Sequence, residues 1–327
     1  MPDSPLNAST APRARARQRR PPIARYLDRS VRRLQASNRD ETRLLLPIIR
    51  AQSAAVLLRI GDALIRAPGC SGNVLGLVEV PGSQSEQLGL EIAARRRDLL
   101  RWIARLDQDR EWGSGAVLGI LVRVVHAVAL GIREAAYETG ANLLLVEWPG
   151  LRSSRPHLLT RVVHELSQAP PADLVLVRPG PRLIGPGGRP PRILAPVRGG
   201  PNAELASDVA AALASAWGGT ATLLHLVDRH HPLSRQTQEA EHTARLTDGF
   251  RRPDVQMVEK ETDDVGRAIL EAAKQADVVV LGAYAEHGRH PALVRPELAV
   301  SLRKLEGTLI LVRTLESTRQ PEIDPRD

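Results

Sequence analysis

Between residues 43 and 313 short apolar runs alternate with amphipathic stretches, and nothing between them reads as a hairpin turn. The later half shows the pattern most plainly. Residues 192–197 read as a buried strand, and 202–217 as a helix with Leu205, Val209, Ala212 and Leu213 on one face. Gly218-Gly219 supplies the backbone freedom that ends that helix. A second strand is expected at 223–227, a polar outer helix at 233–250 and a third strand at 255–260. Asp263-Asp264 then open a helix carrying Val265, Ile269 and Ala272-Ala273, because acidic side chains suit the positive end of a helix. A central strand at 277–282, a fourth helix at 292–305 and a last strand at 308–313 complete the half.

The earlier half repeats this order, with strands near 43–49, 73–80, 116–124, 142–147 and 173–178. The two halves can be laid over one another residue by residue. Arg43-Leu44-Leu45-Leu46-Pro47 matches Arg192-Ile193-Leu194-Ala195-Pro196. Ile132 and Glu134-Ala135-Ala136 match Ile269 and Glu271-Ala272-Ala273. Leu174-Val175-Leu176-Val177-Arg178 matches Leu309-Ile310-Leu311-Val312-Arg313. Near-continuous Val/Leu/Ile strands separated by helices imply parallel sheets covered on both faces. The fold class expected is α/β: two tandem, doubly wound, five-stranded parallel-sheet domains forming an internal pseudo-dimer. The expected division is an arm at 1–41, domains at 42–179 and 192–314, a Gly/Pro linker at 180–191 and a polar, disordered tail at 315–327.

Composition changes this picture in three ways. Aromatic residues are only 2% of the chain, so the cores rest on aliphatic side chains and stacking platforms for bases are scarce. The apolar runs are strand-sized, the start lacks the apolar stretch of a signal peptide, and the single cysteine allows no internal disulfide, so a cytoplasmic location is expected. The net charge of +8 is concentrated: residues 1–40 hold ten arginines, no lysine and three aspartates, leaving the rest close to neutral.

At the aligned residues the chain resembles the universal stress protein family in its tandem form. Residues 192–203 and the turn Glu147-Trp148-Pro149-Gly150 are further similar to the stress-protein tails of bacterial amino-acid permeases. The resemblance implies a non-enzymatic stress-response or regulatory module whose partner is a membrane transporter or another protein. It also implies an adenine nucleotide, ATP or AMP, as the ligand to look for, and a homodimer as an assembly to look for.

ATP-binding members of that family carry a glycine-rich motif after the fourth strand, whose backbone N–H groups cradle phosphate. They also carry an aspartate just after the first strand. In the second repeat the motif positions hold Gly282, Ala285, Arg295 and Pro296, and the acid position holds Arg198. In the first they hold Glu147, Gly150, Thr160 and Arg161, and the acid position holds Ile49. Only remnants of the motif survive, and Glu147 repels phosphate. The candidate nucleotide residues are Pro196, Arg198, Leu226, Leu281, Gly282, Ala285 and Arg295 in the second repeat, with Gly150 and Thr160 in the first. Arg198 and Arg295 could hold an anion by charge alone; the plainer reading is two solvated arginines.

No other constellation requires catalysis. His230-His231 and the pair His287, His290 lack the further ligands of a metal centre. His225 reads as a satisfied core or crevice residue, and Cys70, in the turn Pro68-Gly69-Cys70-Ser71-Gly72, as a structural or incidental thiol. The arm at 13–33 is basic and amphipathic, with Ile23, Tyr26, Leu27, Val31 and Leu34 at helical spacing. It reads first as a solubilising segment, second as a contact to an anionic membrane surface, which makes the protein membrane-peripheral, and third as a nucleic-acid contact that the lack of aromatics argues against. Three functions stand side by side: the regulatory module with degenerate sites, an ATP- or AMP-binding stress protein using the second repeat, and a platform for protein interaction with no ligand.

Overall fold

The computed structural model of the chain describes residues 41–67, 69–80, 86–108, 118–150, 158–181, 189–197, 201–228, 253–283, 293–294 and 296–315. The arm at 1–41 lies almost wholly outside these residues. So do the polar helix expected at 233–250, the histidines at 230–231 and 287–290, and the tail beyond Leu315.

The strands are β1 (Arg43–Ile48), β2 (Ser71–Glu79), β3 (Leu118–Val125), β4 (Leu143–Glu147) and β5 (Asp173–Arg178) in the first half. In the second half they are β6 (Arg192–Val197), β7 (Thr220–Asp228), β8 (Val255–Thr262), β9 (Val278–Gly282) and β10 (Thr308–Arg313). The described helices are α1 (Ala51–Leu64), α2 (Glu86–Gln108), α3 (Val128–Thr139), α4 (Leu158–Gln168), α5 (Pro201–Trp217), α6 (Val265–Ala273) and α7 (Pro296–Leu302). The fourth helix of the second half is shorter than its apolar pattern suggests. It starts at Pro296, whose missing N–H costs nothing in a first turn.

The described strands form one ten-stranded sheet in the order β3-β2-β1-β4-β5-β10-β9-β6-β7-β8. Every pairing within a half is parallel. The halves join through β5 and β10, which run antiparallel with Leu176 opposite Leu311. Those two leucines are equivalent in the repeat, and Arg178 opposite Leu309 mirrors Arg313 opposite Leu174. A local two-fold therefore passes through the Leu176–Leu311 pair.

The side-chain alternation of the strands feeds two cores. On one face Leu44, Leu46 and Ile48 of β1 pack with Leu57 of α1, Ile103 of α2, and Val209 and Leu213 of α5. On the other face Leu45 packs with Ile132 of α3, Val162 of α4, Ile269 of α6 and Leu302 of α7. Both cores run through both halves, and residues 40–327 form one compact unit. Arg66, beyond the end of α1, donates from Nη1 to the carbonyl of Ala216 at 2.6 Å and so caps α5 across the joint.

The repeat is visible in single bonds. Asn142 Oδ1 accepts the N–H of Arg43 at 2.8 Å, and Asp277 Oδ2 accepts the N–H of Arg192 at 2.9 Å. Each ties the strand after the crossover to the start of the first strand of its half. The helix ends follow the expected chemistry. Gly218 takes φ +62°, where a Cβ is costly, and Gly219 N–H returns to the carbonyl of Ala214 at 2.9 Å. Asp264 Oδ1 accepts the N–H of Arg267 at 2.9 Å and caps α6.

Candidate functional site

In a doubly wound sheet the crevice for ligands opens at the carboxyl ends of the two strands where the winding reverses. Here those pairs are β1 with β4 and β6 with β9. Each pair is joined by only two residue pairs, Leu44–Leu143 with Leu45–Leu144, and Ile193–Val278 with Leu194–Val279. Beyond them β1 carries Pro47 and β6 carries Pro196. A proline has no N–H to extend a ladder, and the strands part at that level.

In the first half the end of β4 holds Glu147, only 1% exposed. Arg50, the residue before α1, meets it with two nitrogens: Nε donates to Oε2 at 3.1 Å and Nη2 donates to Oε1. The Ser53 hydroxyl donates to Oε2 from the first turn of α1. A carboxylate buried this deeply requires such partners, and their hydrogen bonds offset its desolvation. The bond and charge of Glu147 in turn raise the pKa of Arg50 against the opposing effect of burial. The mouth of the first crevice is thus filled by the chain's own ion pair. Ile49, at the acid position of the family motif, is half-buried beside it and brings no charge.

Gly150 lies just past this point with φ +82°, and a Cβ on it would stand 2.9 Å from Arg178 Cδ. The turn alone accounts for a glycine here. Thr160 is exposed in the first turn of α4. The segment 151–157 between them lies outside the described residues, so no cradle joining the two is described.

In the second half Asn202 stands where the first turn of α5 meets the ends of β9 and β10. Its Nδ2 donates to the carbonyl of Ala283 at 2.9 Å. Its Oδ1 accepts the N–H of Thr314 at 2.8 Å and the Thr314 hydroxyl at 3.2 Å. Gly282 is exposed at the end of β9, and a Cβ there would approach Asn202 Cβ to 3.0 Å. Pro196 is half-buried across the gap. Leu226 and Leu281 sit in the core at 1% and 4% exposure, packed on the α6–α7 face. Arg198, Ala285 and Arg295 lie outside the described residues. Of the predicted set, Pro196 and Gly282 are brought to one crevice, and Leu226 stands one strand further away on β7.

His225 is 2% exposed with Nδ1 3.4 Å from the Val197 carbonyl, as a satisfied core histidine requires. Cys70 is half-buried and accepts the Thr42 N–H at 3.4 Å. Among the described residues no group of three or more His, Cys, Asp or Glu side chains could hold a metal ion.

Sequence reading missed Arg50, Ser53, Asn202 and Thr314 as crevice residues. One signal was present: Glu147 ends a strand that is otherwise Leu143-Leu144-Leu145-Val146, and an acid in such a strand needs a cation. Nothing in the sequence marks Asn202, because its partners, the Ala283 carbonyl and Thr314, come from far along the chain.

No protein-family model matches the chain, and no curated protein matches it. Solved structures do. A universal stress protein from Archaeoglobus fulgidus DSM 4304 superposes with a TM-score of 0.56 at 12% identity, covering 82% of this chain and 97% of its own. The cytoplasmic domain of a prokaryotic cation chloride cotransporter gives 0.51 at 14% identity, covering 86% and 97%. A functionally unknown protein from Pseudomonas aeruginosa PAO1 gives 0.51 at 16% identity, covering 88% and 96%. At these identities the likeness is one of fold, and it is the tandem universal stress protein fold.

Proposed function

With the universal stress protein fold as premise, we propose that this chain is a non-enzymatic regulatory module that works through a protein partner and not through a bound nucleotide. One observation carries the reading: at the first strand crossing the protein's own side chains take the place a ligand would need. Glu147 with Arg50 and Ser53 occupies the first crevice, and Asn202 ties together the rim of the second. The glycine cradle that would draw phosphate is replaced at most motif positions.

The partner class rests on likeness to the cytoplasmic domain of a cotransporter, so a membrane transporter is the first partner to test and a cytoplasmic, membrane-proximal location follows from it. The basic stretch at 13–33 suits an anionic membrane surface beside such a partner. We divide the chain into domains at 42–179 and 192–314 on the same reading, with the linker at 180–191 between them. No described helix is long and apolar enough to cross a membrane.

A second reading has its own support. Gly282 is exposed and, among the described residues, its crevice holds no acid comparable to Glu147, so ATP or AMP bound beside Gly282, Arg198 and Arg295 is the alternative. Thermal unfolding of the full chain with ATP or AMP, with and without magnesium, separates the two. A ligand at a hundred times its Kd adds about 2.7 kcal/mol, a shift of several degrees. The regulatory reading expects no shift. A shift abolished by Arg198→Ala or Arg295→Ala would replace it with the nucleotide reading.

A further inference from the structure

The two ends of the ten-stranded sheet are built differently. Both β3 and β8 have a strand on one side only, among the described residues. The outer strand β8 exposes Glu259, Lys260 and Glu261 in succession, the kind of charged edge that discourages pairing. The outer strand β3 reads Leu-Gly-Ile-Leu-Val-Arg-Val-Val, with one charge in eight residues. That charge is already matched, because Arg123 reaches Glu134 and Glu138 of α3. A groove of about 440 Å³ runs along this edge, rimmed by Arg96 of α2 and Glu134 of α3. Val124 on the strand and Leu100 on α2 stand exposed at 43% and 37%.

The direction of the unused backbone groups follows from one bond. The Val125 carbonyl accepts the N–H of Val80, next to β2. Successive residues of a strand alternate the side to which their N–H and C=O point, so the odd-numbered residues of β3 serve β2. Ile120, Val122 and Val124 therefore turn theirs to the open edge.

We infer that this edge is where a second copy of the chain docks, strand β3 against strand β3, antiparallel, about a two-fold through Val122. Four features favour that occupant. In this register Val122 faces Val122 of the second copy, and Ile120 and Val124 face each other in both directions. Ile120, Val122 and Val124 then find mates, in about six hydrogen bonds at two per pair, while Leu118 falls beyond the paired stretch. Arg123 falls opposite the second copy's Leu121, so no like charges are opposed. A two-fold contact closes on itself and leaves no further edge of this kind open. The chain already uses the same joint internally, where β5 meets β10 about the Leu176–Leu311 pair.

The test is the association of the full chain by sedimentation velocity from low to high micromolar concentration. The expected result is a dimer whose Kd rises at least about tenfold with Val122→Pro, which removes one outward N–H and leaves the β2 ladder intact. Val124→Lys, placed on an exposed side chain, is expected to act the same way and covers the case in which the proline variant misfolds. Amide exchange at Ile120, Val122 and Val124 should slow in the dimer and quicken in the lysine variant. Val258→Lys on the opposite edge should leave association unchanged. A chain that stays monomeric throughout, or a dimer indifferent to Val124→Lys in a folded protein, or one dissolved by Val258→Lys, overturns the inference.

Discussion

Arg178 and Arg313 are equivalent residues with opposite fates. Arg178 spends its guanidinium on the carbonyls of Leu302 at 3.2 Å and of Leu305 and Gly307 at 2.9 Å each, closing the turn after α7. Arg313 is 6% exposed, and its Nε and Nη1 have no partner among the described residues. Burial lowers its pKa accordingly. Replacing an unsatisfied buried charge by an apolar chain of similar size removes a desolvation cost, whereas removing a satisfied one leaves carbonyls unpaired. Arg313→Met is expected to raise stability by about 1 kcal/mol and Arg178→Met to lower it by about 2 kcal/mol. Urea titration of both variants checks the opposite signs. Asp208 on α5 gives a pH effect. Its carboxyl is pushed up to about 6, by burial first and by Glu204 one turn earlier second. The ordinary value for an aspartate, which the unfolded chain is taken to follow, is 3.8. The fold therefore binds this proton more tightly, and stability declines as pH rises from about 4 to about 6 and is flat beyond. Asp208 keeps an exposed side, so screening holds the effect under about 1 kcal/mol. Asp208→Asn should flatten that slope and raise the melting temperature at pH 7; an unchanged profile would contradict it.

At the scale of elements, helix ends were the most readable features. Asp264 caps α6 and Gly218 closes α5 because both effects act within a few residues of the chain. Asp264→Ala is expected to cost about 1 kcal/mol, measured as a lower urea midpoint with an unchanged slope. Strand positions were equally readable, since period-2 and continuous apolar runs report burial directly. Elements differed where the signal was not local. Apolar residues from Ala292 suggested a long last helix, but the helix begins at Pro296. The crevice chemistry was the least readable. Glu147, Arg50 and Ser53 come from β4, the turn after β1 and α1, and Asn202 meets Thr314 across 112 positions of sequence.

At the scale of the whole molecule, the halves share both cores. Val175 and Val177 pack in one cluster with Ile310 and Val312, and Leu174 and Leu176 in the other with Leu309 and Leu311. Calorimetry of the full chain is therefore expected to show one unfolding transition for residues 40–327, with no separate melting of either half. Leu311→Ala, at a residue 1% exposed on the dyad, should cost about 3 kcal/mol and move the entire transition. Two resolved peaks, or a shift of only one of them, would show that the joint is weaker than its packing indicates.

By itself the sequence determined the repeat, the parallel α/β halves and the caps. All of these are written in local periodicity, composition and turn chemistry. It could not show that β5 meets β10 across a two-fold, that Asn202 bridges β9 and β10, or that, among the described residues, one outer strand is guarded by charge and the other carries a single arginine. Those features depend on which distant segments become neighbours. Hydrogen bonds and ion pairs between such segments leave no periodic trace along the chain, so only the tertiary structure decided them.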